Sequence, residues 1–153
     1  MRVLLRTPSR DHRRAIVALA RDPFIAQWTG PPGPNADLRA LLLWDCRLPR
    51  VPVLAGFVHL DTVQVEGGFS GAFDIAIASP FRRRGLGLAA VRAAEQALVS
   101  AHDLKEMVLG VHVDNEPARA LYRRAGYLEV QTIRAPDGRE ARLVRKRLTT
   151  SSQ

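Results

Sequence analysis

The residues most suggestive of chemistry form the run Arg82-Arg83-Arg84-Gly85-Leu86-Gly87. It follows an apolar stretch closed by Pro80 and precedes a segment with helical periodicity. A turn feeding a helix N-terminus presents backbone N–H groups that lack intrahelical partners. The helix dipole adds partial positive charge at the same end. Glycines let a ligand approach the backbone, and three arginines add full charge. Those are the needs of a diphosphate site, and equally the make-up of a helix-capping turn. A Gly-x-x-x-x-Gly-Lys-Ser/Thr pattern is absent, which disfavours nucleoside-triphosphate hydrolysis. The full Gly-x-Gly-x-x-Gly pattern is also absent, because position 90 is Ala; a Gly-x-Gly-x-x-Ala reading survives at residues 85–90, although such a fingerprint belongs near the start of its βαβ unit. Asp103 and Glu106 fall near the distance of about 20 residues at which an acid is expected, but Asp103 lies in a predicted connecting loop and not at a strand end.

The flanking elements must hold this run in place. Residues 2–6 predict a short strand. Ser9 or Asp11 predicts a cap for a helix that ends near Asp22-Pro23. Thr29–Asn35 is rich in Gly and Pro and predicts a loop, and Asp37 predicts the cap of a second helix through Leu43. Residues 51–65 predict a strand, with a neighbour to form a hairpin. Residues 72–78 predict another, with Phe73, Ile75 and Ile77 on one face and Asp74, Ala76 and Ala78 on the other. A long helix from Leu86 to Ala101 follows, with Arg92, Glu95 and Gln96 outward. Next come a strand from Met107 to Val113, a helix over 116–125 capped by Asn115 and stopped by Gly126, and strands over 127–134 and 139–148. The order predicts an α/β (α+β) domain with a mixed sheet over 1–148, followed by a frayed tail at 149–153.

Composition narrows the function classes. The chain has 153 residues, 46% hydrophobic and 25% charged, which suits one domain with one core. No apolar run approaches the roughly 20 residues of a membrane span. The N-terminus carries too short an apolar run for a signal peptide, and the single Cys46 cannot form an internal disulfide. A cytoplasmic protein is the expectation. His12, His59 and His102 show no metal-ligand spacing, so no metal is expected. The net charge of +8 invites nucleic acid, but the excess is dispersed: +3 over residues 1–69, +1 over 70–133 and +4 over 134–153. Arg142 and Lys146 fall on one side of the last strand and Arg145 and Arg147 on the other, which splits any basic patch. Nucleic acid is therefore disfavoured against an acidic small ligand.

The stretch Phe73–Gly87, followed by Asn115-Glu116-Pro117-Ala118-Arg119-Ala120-Leu121-Tyr122 and then Gly126-Tyr127, resembles the GNAT family of acetyl-coenzyme A-dependent N-acetyltransferases. Arg82-x-x-Gly85-x-Gly87 is similar to that family's Arg/Gln-x-x-Gly-x-Gly/Ala pyrophosphate loop. Asn115, Ala118, Leu121, Tyr122 and Gly126-Tyr127 are similar to its second cofactor segment, about 30 residues on. The resemblance is specific over residues 70–130. It implies a mixed, mostly antiparallel seven-stranded sheet with a central splay, flanked by about four helices, and acetyl-CoA lying in the splay. It further implies that Ile75, Ala76 and Ile77 offer backbone groups to the pantetheine arm and acetyl carbonyl. Arg82, Arg83, Arg84, Gly85, Leu86, Gly87 and Leu88 would wrap the pyrophosphate, and Asn115 would join the cofactor contacts while capping its helix. Homodimers are common among such families.

Acetyl transfer to an amine needs a neutral amine, a polarised carbonyl and a protonated leaving thiolate. Tyr122 shares a helix face with Ala118, Leu121 and Ala125 and is the candidate acid; the resemblance implies the same role. Three readings of the base stay open. Asp74 lies on the face with Ala76 and Ala78. His112 lies on the strand with Gly110 and has the better intrinsic pKa. Ordered water is the third. N-terminal acetyltransferases of the family acting on ribosomal proteins commonly carry Glu at the position of Gly110, and this chain departs from that. The acceptor is expected at the N-terminal third, where Trp28 and Trp44 are either lining or core aromatics. The expected reaction is acetyl transfer to a primary amine of a small molecule or peptide by direct attack. The alternatives are another acyl-CoA donor or a basic nucleic-acid-binding protein without catalysis.

Overall fold

A computed structural model of the chain describes residues 2–29, 32–33, 36–44, 52–66 and 68–148. The predicted tail at 149–153 and part of the predicted loop at Thr29–Asn35 lie outside these. Among the described residues the order is β1 (Arg2–Arg6), α1 (Arg10–Ala20), α2 (Pro23–Ala26), β2 (Asp37–Trp44), β3 (Val53–Val65), β4 (Gly68–Ile77), α3 (Leu86–Ala101), β5 (Glu106–His112), α4 (Glu116–Arg124), β6 (Leu128–Arg134) and β7 (Glu140–Arg147). The strands form one sheet in the order β1-β2-β3-β4-β5-β7-β6. Every neighbouring pair is antiparallel except β4 and β5.

The parallel pair decides where a ligand fits. β4 and β5 meet at one registered position, Gly71 opposite Met107, and then separate. A Cβ at Gly71 would overlap Met107 Sδ, so glycine is what allows this contact. Beyond it the two strands part, which is the splay that the family resemblance implies.

Helices cover both faces. Ala90, Val91, Ala94 and Leu98 of α3 pack with Val58, Leu60, Phe73, Leu109 and Val111 of the sheet, and Tyr122 of α4 joins them. On the opposite face, Ile16 of α1 and Ile25 of α2 pack on Ala40, Leu42, Phe57 and Ala76. β4 thus sends Phe73 to the α3 face and Ala76 to the α1–α2 face, as its alternation predicts.

Two expectations are corrected. Residues 37–43 were predicted helical but form β2, hydrogen-bonded on both edges to β1 and β3. Ala40 and Leu42 face one core and Leu41 the other, so the segment is apolar on both faces, as a central strand must be. Tertiary pairing overrides the helix propensity of its leucines. The second helix is instead the short α2, capped by Asp22 Oδ1 accepting from Phe24 N at 2.8 Å. Glu95, predicted to point outward, is buried. It lies four residues after Val91 and three before Leu98, on the apolar stripe. There it accepts the Tyr127 hydroxyl proton at 2.7 Å and pairs with Lys146 Nζ at 3.1 Å. Its partners are Tyr127, just before β6, and Lys146 of β7, which helix periodicity does not reveal.

Candidate active site

The glycine-rich loop runs from the end of β4 to the start of α3. Gly85 is the N-cap of α3 in the left-handed region (φ 76°) and supplies no side-chain cap, so the first N–H groups of the helix stay open. An open helix N-terminus with exposed Arg83 and Arg84 beside it suits a diphosphate. Arg83 itself has φ 60°, a conformation that a non-glycine residue rarely adopts. Leu86 is buried against Leu43 and Ala55 and anchors the helix start. Gly87 faces α4: a Cβ there would lie 3.1 Å from Leu121 Cδ2. Leu88 is half-buried. Arg82 turns the other way. Its Nε donates to Ile77 O at 2.9 Å, and its guanidinium carbon lies 4.1 Å from the centroid of the Phe24 ring. Its Nη2 is buried without a protein partner among the described residues.

The edge of β4 that faces the gap can be assigned. Ala78 N donates to Ala55 O, toward β3. Alternation then turns the N–H and C=O of Ile75 and Ile77 to the gap and those of Ala76 to β3. Ile77 O is already engaged by Arg82. Asn115 caps α4, its Oδ1 accepting from Ala118 N at 3.3 Å.

On the α1–α2 face the splay opens into a pocket of about 440 Å³, in the size range of small-molecule sites. Trp28, His59, Asp61, Asp74, Gly110 and His112 line it. Asp74 faces His59 across the β3–β4 pairing. Burial raises the Asp74 pKa to about 6. His59 is lowered, by burial first and against the opposing pull of Asp61. His112 Nε2 lies 3.1 Å from Asp137 Oδ2, and its ring is 5.7 Å from that of Trp28. Asp137 is held down at about 2 by hydrogen bonds from the Arg139 backbone and then its side chain. Arg139 also stands over the Trp28 ring, 5.3 Å from its centroid, and reaches the Gln27 carbonyl. This clasp ties the β6–β7 turn to the end of α2 beside the pocket.

Tyr122 is buried on the α3 side of the gap, among Phe73 at 6.2 Å and Tyr127 at 5.7 Å between ring centroids. Burial pushes its pKa above the ordinary phenol value, and the nearby charge of Asp74 pushes it further. The fold therefore gathers Asp74, His112 and Trp28 at one pocket. Trp44 stands at the opposite end of β2, paired with Arg2. His59 and Asp61, to which the sequence assigns no functional role, also line the pocket. Their signal was alternation: on strand 53–65 they share the face of Phe57.

Comparison with known proteins agrees with this geometry. The Acetyltransferase (GNAT) family model matches residues 14–127. An N-alpha-acetyltransferase of Sulfurisphaera tokodaii is 36% identical over 91 residues, covering 58% of this chain and 54% of the relative. A mycothiol acetyltransferase of Clavibacter michiganensis subsp. michiganensis is 42% identical over 86 residues, covering 54% of this chain and 27% of the relative. The matched region thus spans about half or less of these curated relatives. Among solved structures, aminoglycoside acetyltransferase AAC(6')-Ib with coenzyme A superposes with a TM-score of 0.77 at 16% identity, covering 95% of this chain and 94% of that one. Spermidine N-acetyltransferase of Vibrio cholerae with CoA and spermine gives 0.75 at 18% identity, covering 95% of each chain. The structural likeness carries the splayed sheet, and the family match covers both the glycine loop and the Tyr122 helix: the chain belongs to the GNAT acetyltransferase family.

Proposed function

We propose that this domain transfers the acetyl group of acetyl-CoA to a primary amine. The observation that carries the reading is the separation of β4 and β5 beyond Gly71–Met107, with an open α3 N-terminus at its end and the Asp74 pocket on its α1–α2 face. The backbone N–H groups from Gly85 onward, with Arg83 and Arg84, would hold the pyrophosphate. The gap-facing groups of Ile75 would bind the pantetheine arm as an added strand does. Asn115 would contact the same ligand while capping α4. When bound, acetyl-CoA supplies an acetyl thioester, an electrophile reached through the splay.

Amines arrive as ammonium ions, and in this reading Asp74 takes the proton that frees the nitrogen lone pair. With a pKa of about 6 it is ionised at neutral pH, yet basic enough to accept. His112 is the second candidate base, and its ring nitrogen is committed to Asp137. The nitrogen–carbon bond forms as the carbon–sulfur bond breaks. Tyr122 gives its hydroxyl proton to the departing sulfur, and the second proton lost by nitrogen restores the phenol. Its raised pKa keeps that proton in place across the working range.

Residues 1–148 act as one catalytic domain in this reading. Purified protein should gain thermal stability with saturating acetyl-CoA and release free thiol when amines are added. No stabilisation by acetyl-CoA would overturn the reading.

A further inference from the structure

The pocket contains two carboxylates, and the reaction above uses one. Asp61 on β3 stands opposite Ala72 on β4, while Asp74 on β4 stands opposite His59 on β3. These four positions form a square on the α1–α2 face, with the carboxylates at diagonal corners. Diagonal neighbours in an antiparallel pair lie about 7 Å apart. Ala72, at a third corner, leaves the space between them low and apolar.

Asp61 is half-buried. Its Oδ1 accepts from Thr62 N at 2.8 Å. Its Oδ2 lies beneath the backbone of Gly33, where a Cβ would come within 2.7 Å of it. Among the described residues no Arg or Lys forms an ion pair with Asp61 or Asp74. Arg134, which also lines the pocket, has Nη1 bound to Gly138 O at 2.8 Å. Neither carboxylate therefore has a cation within ion-pair distance among the described residues, in a chain whose net charge is +8. A carboxylate in a partly desolvated cavity without an ion-pair partner is a ready binding point for a cationic group of a ligand.

We infer that Asp61 is a specificity residue that binds a second ammonium group of the acceptor, so that the preferred substrate is a diamine of roughly diaminobutane length. One nitrogen meets Asp74 and is acetylated; the other stays protonated on Asp61, with the alkyl spacer over Ala72. This inference rests on the acetyl-transfer reading.

The test measures thiol release by the full chain with acetyl-CoA and three acceptors: diaminobutane, butylamine and a dipeptide amide with uncharged side chains. The expected kcat/KM for diaminobutane exceeds that for butylamine by about tenfold or more, mainly through KM, as a desolvated charge contact provides. Asp61→Asn should bring that ratio to within about threefold of unity. Gly33→Ala, whose Cβ displaces the carboxylate, should lower it in the same direction. Stabilisation by acetyl-CoA reports that each variant is folded, so either one suffices. An undiminished ratio in both folded variants would overturn the role of Asp61. So would a wild-type preference for the dipeptide amide or an equal rate with butylamine, and those outcomes would leave acetyl transfer standing. Stabilisation by acetyl-CoA without acetylation of any amine would overturn both.

Discussion

Asp74 stands directly opposite His59 in the antiparallel register of β3 and β4, and both side chains line the pocket at the splay. Burial moves them in opposite directions, the carboxyl up to about 6 and the imidazole down, so each is driven toward its neutral form. A base must be ionised to accept a proton. The kcat/KM for acetylation should therefore fall as pH drops through about 6. Asp74→Asn should remove that limb and lower turnover by about a hundredfold. A limb that survives in the variant would pass the role to another group, His112 being the next in the pocket.

The same shift has a consequence for stability with the opposite sense. The folded-state pKa of Asp74 lies above the value of 3.8 expected when unfolded. The fold therefore favours the protonated carboxyl. That contribution is complete below pH 3.8 and is lost as pH rises through about 6. Asn mimics the neutral form, so Asp74→Asn should stabilise the fold at pH 8 by about 1–2 kcal/mol, an allowance already reduced for water in the open pocket. At pH 4 the gain should vanish. Thermal melts of both proteins at the two values decide it. A variant that is more stable and less active is the signature of a carboxylate held for function.

The sheet and the loop were legible in the sequence because their signals are local. Alternation along 72–78 and apolar spacing along 86–101 read directly, and Gly85 and Gly87 mark the turn between them. The misread positions are those where distant chain decides. Residues 37–44 carry leucines that suit either state, and only the pairing of β1 and β3 on both edges makes them a strand. Glu95 looks like a surface acid until Tyr127 and Lys146 arrive from 32 and 51 residues away. Asp61 gave no signal by itself, since its diagonal relation to Asp74 exists only in the register of the hairpin.

Tyr122→Phe should lower kcat by about a hundredfold while leaving acetyl-CoA affinity within about twofold. The ring keeps its packing against Phe73 and Tyr127, so the fold should tolerate the loss of one oxygen. Burial and the Asp74 charge hold the phenol above its ordinary pKa, so wild type should show no alkaline limb from this group below pH 10. Measured calorimetric affinity with unchanged turnover would remove Tyr122 from the reaction.

The arginines of the loop should separate into two kinds. Arg84 is exposed, 5.9 Å from the centroid of the Phe81 ring, and free to meet a phosphate. Arg84→Glu should weaken acetyl-CoA binding by about tenfold at low salt, less at high salt, with the melting temperature of the free protein unmoved. Arg82 instead joins the end of β4 to α2 through Ile77 O and the Phe24 ring. Arg82→Met keeps the length but loses the donor and the cation–π contact, and should destabilise the free protein by about 1–2 kcal/mol. Its effect on acetyl-CoA affinity should then resist salt, because a displaced loop and not a missing charge is the cause. Melting curves and binding at two ionic strengths distinguish these outcomes. Equal salt dependence in the two variants would place both side chains on the phosphates and end the division between them.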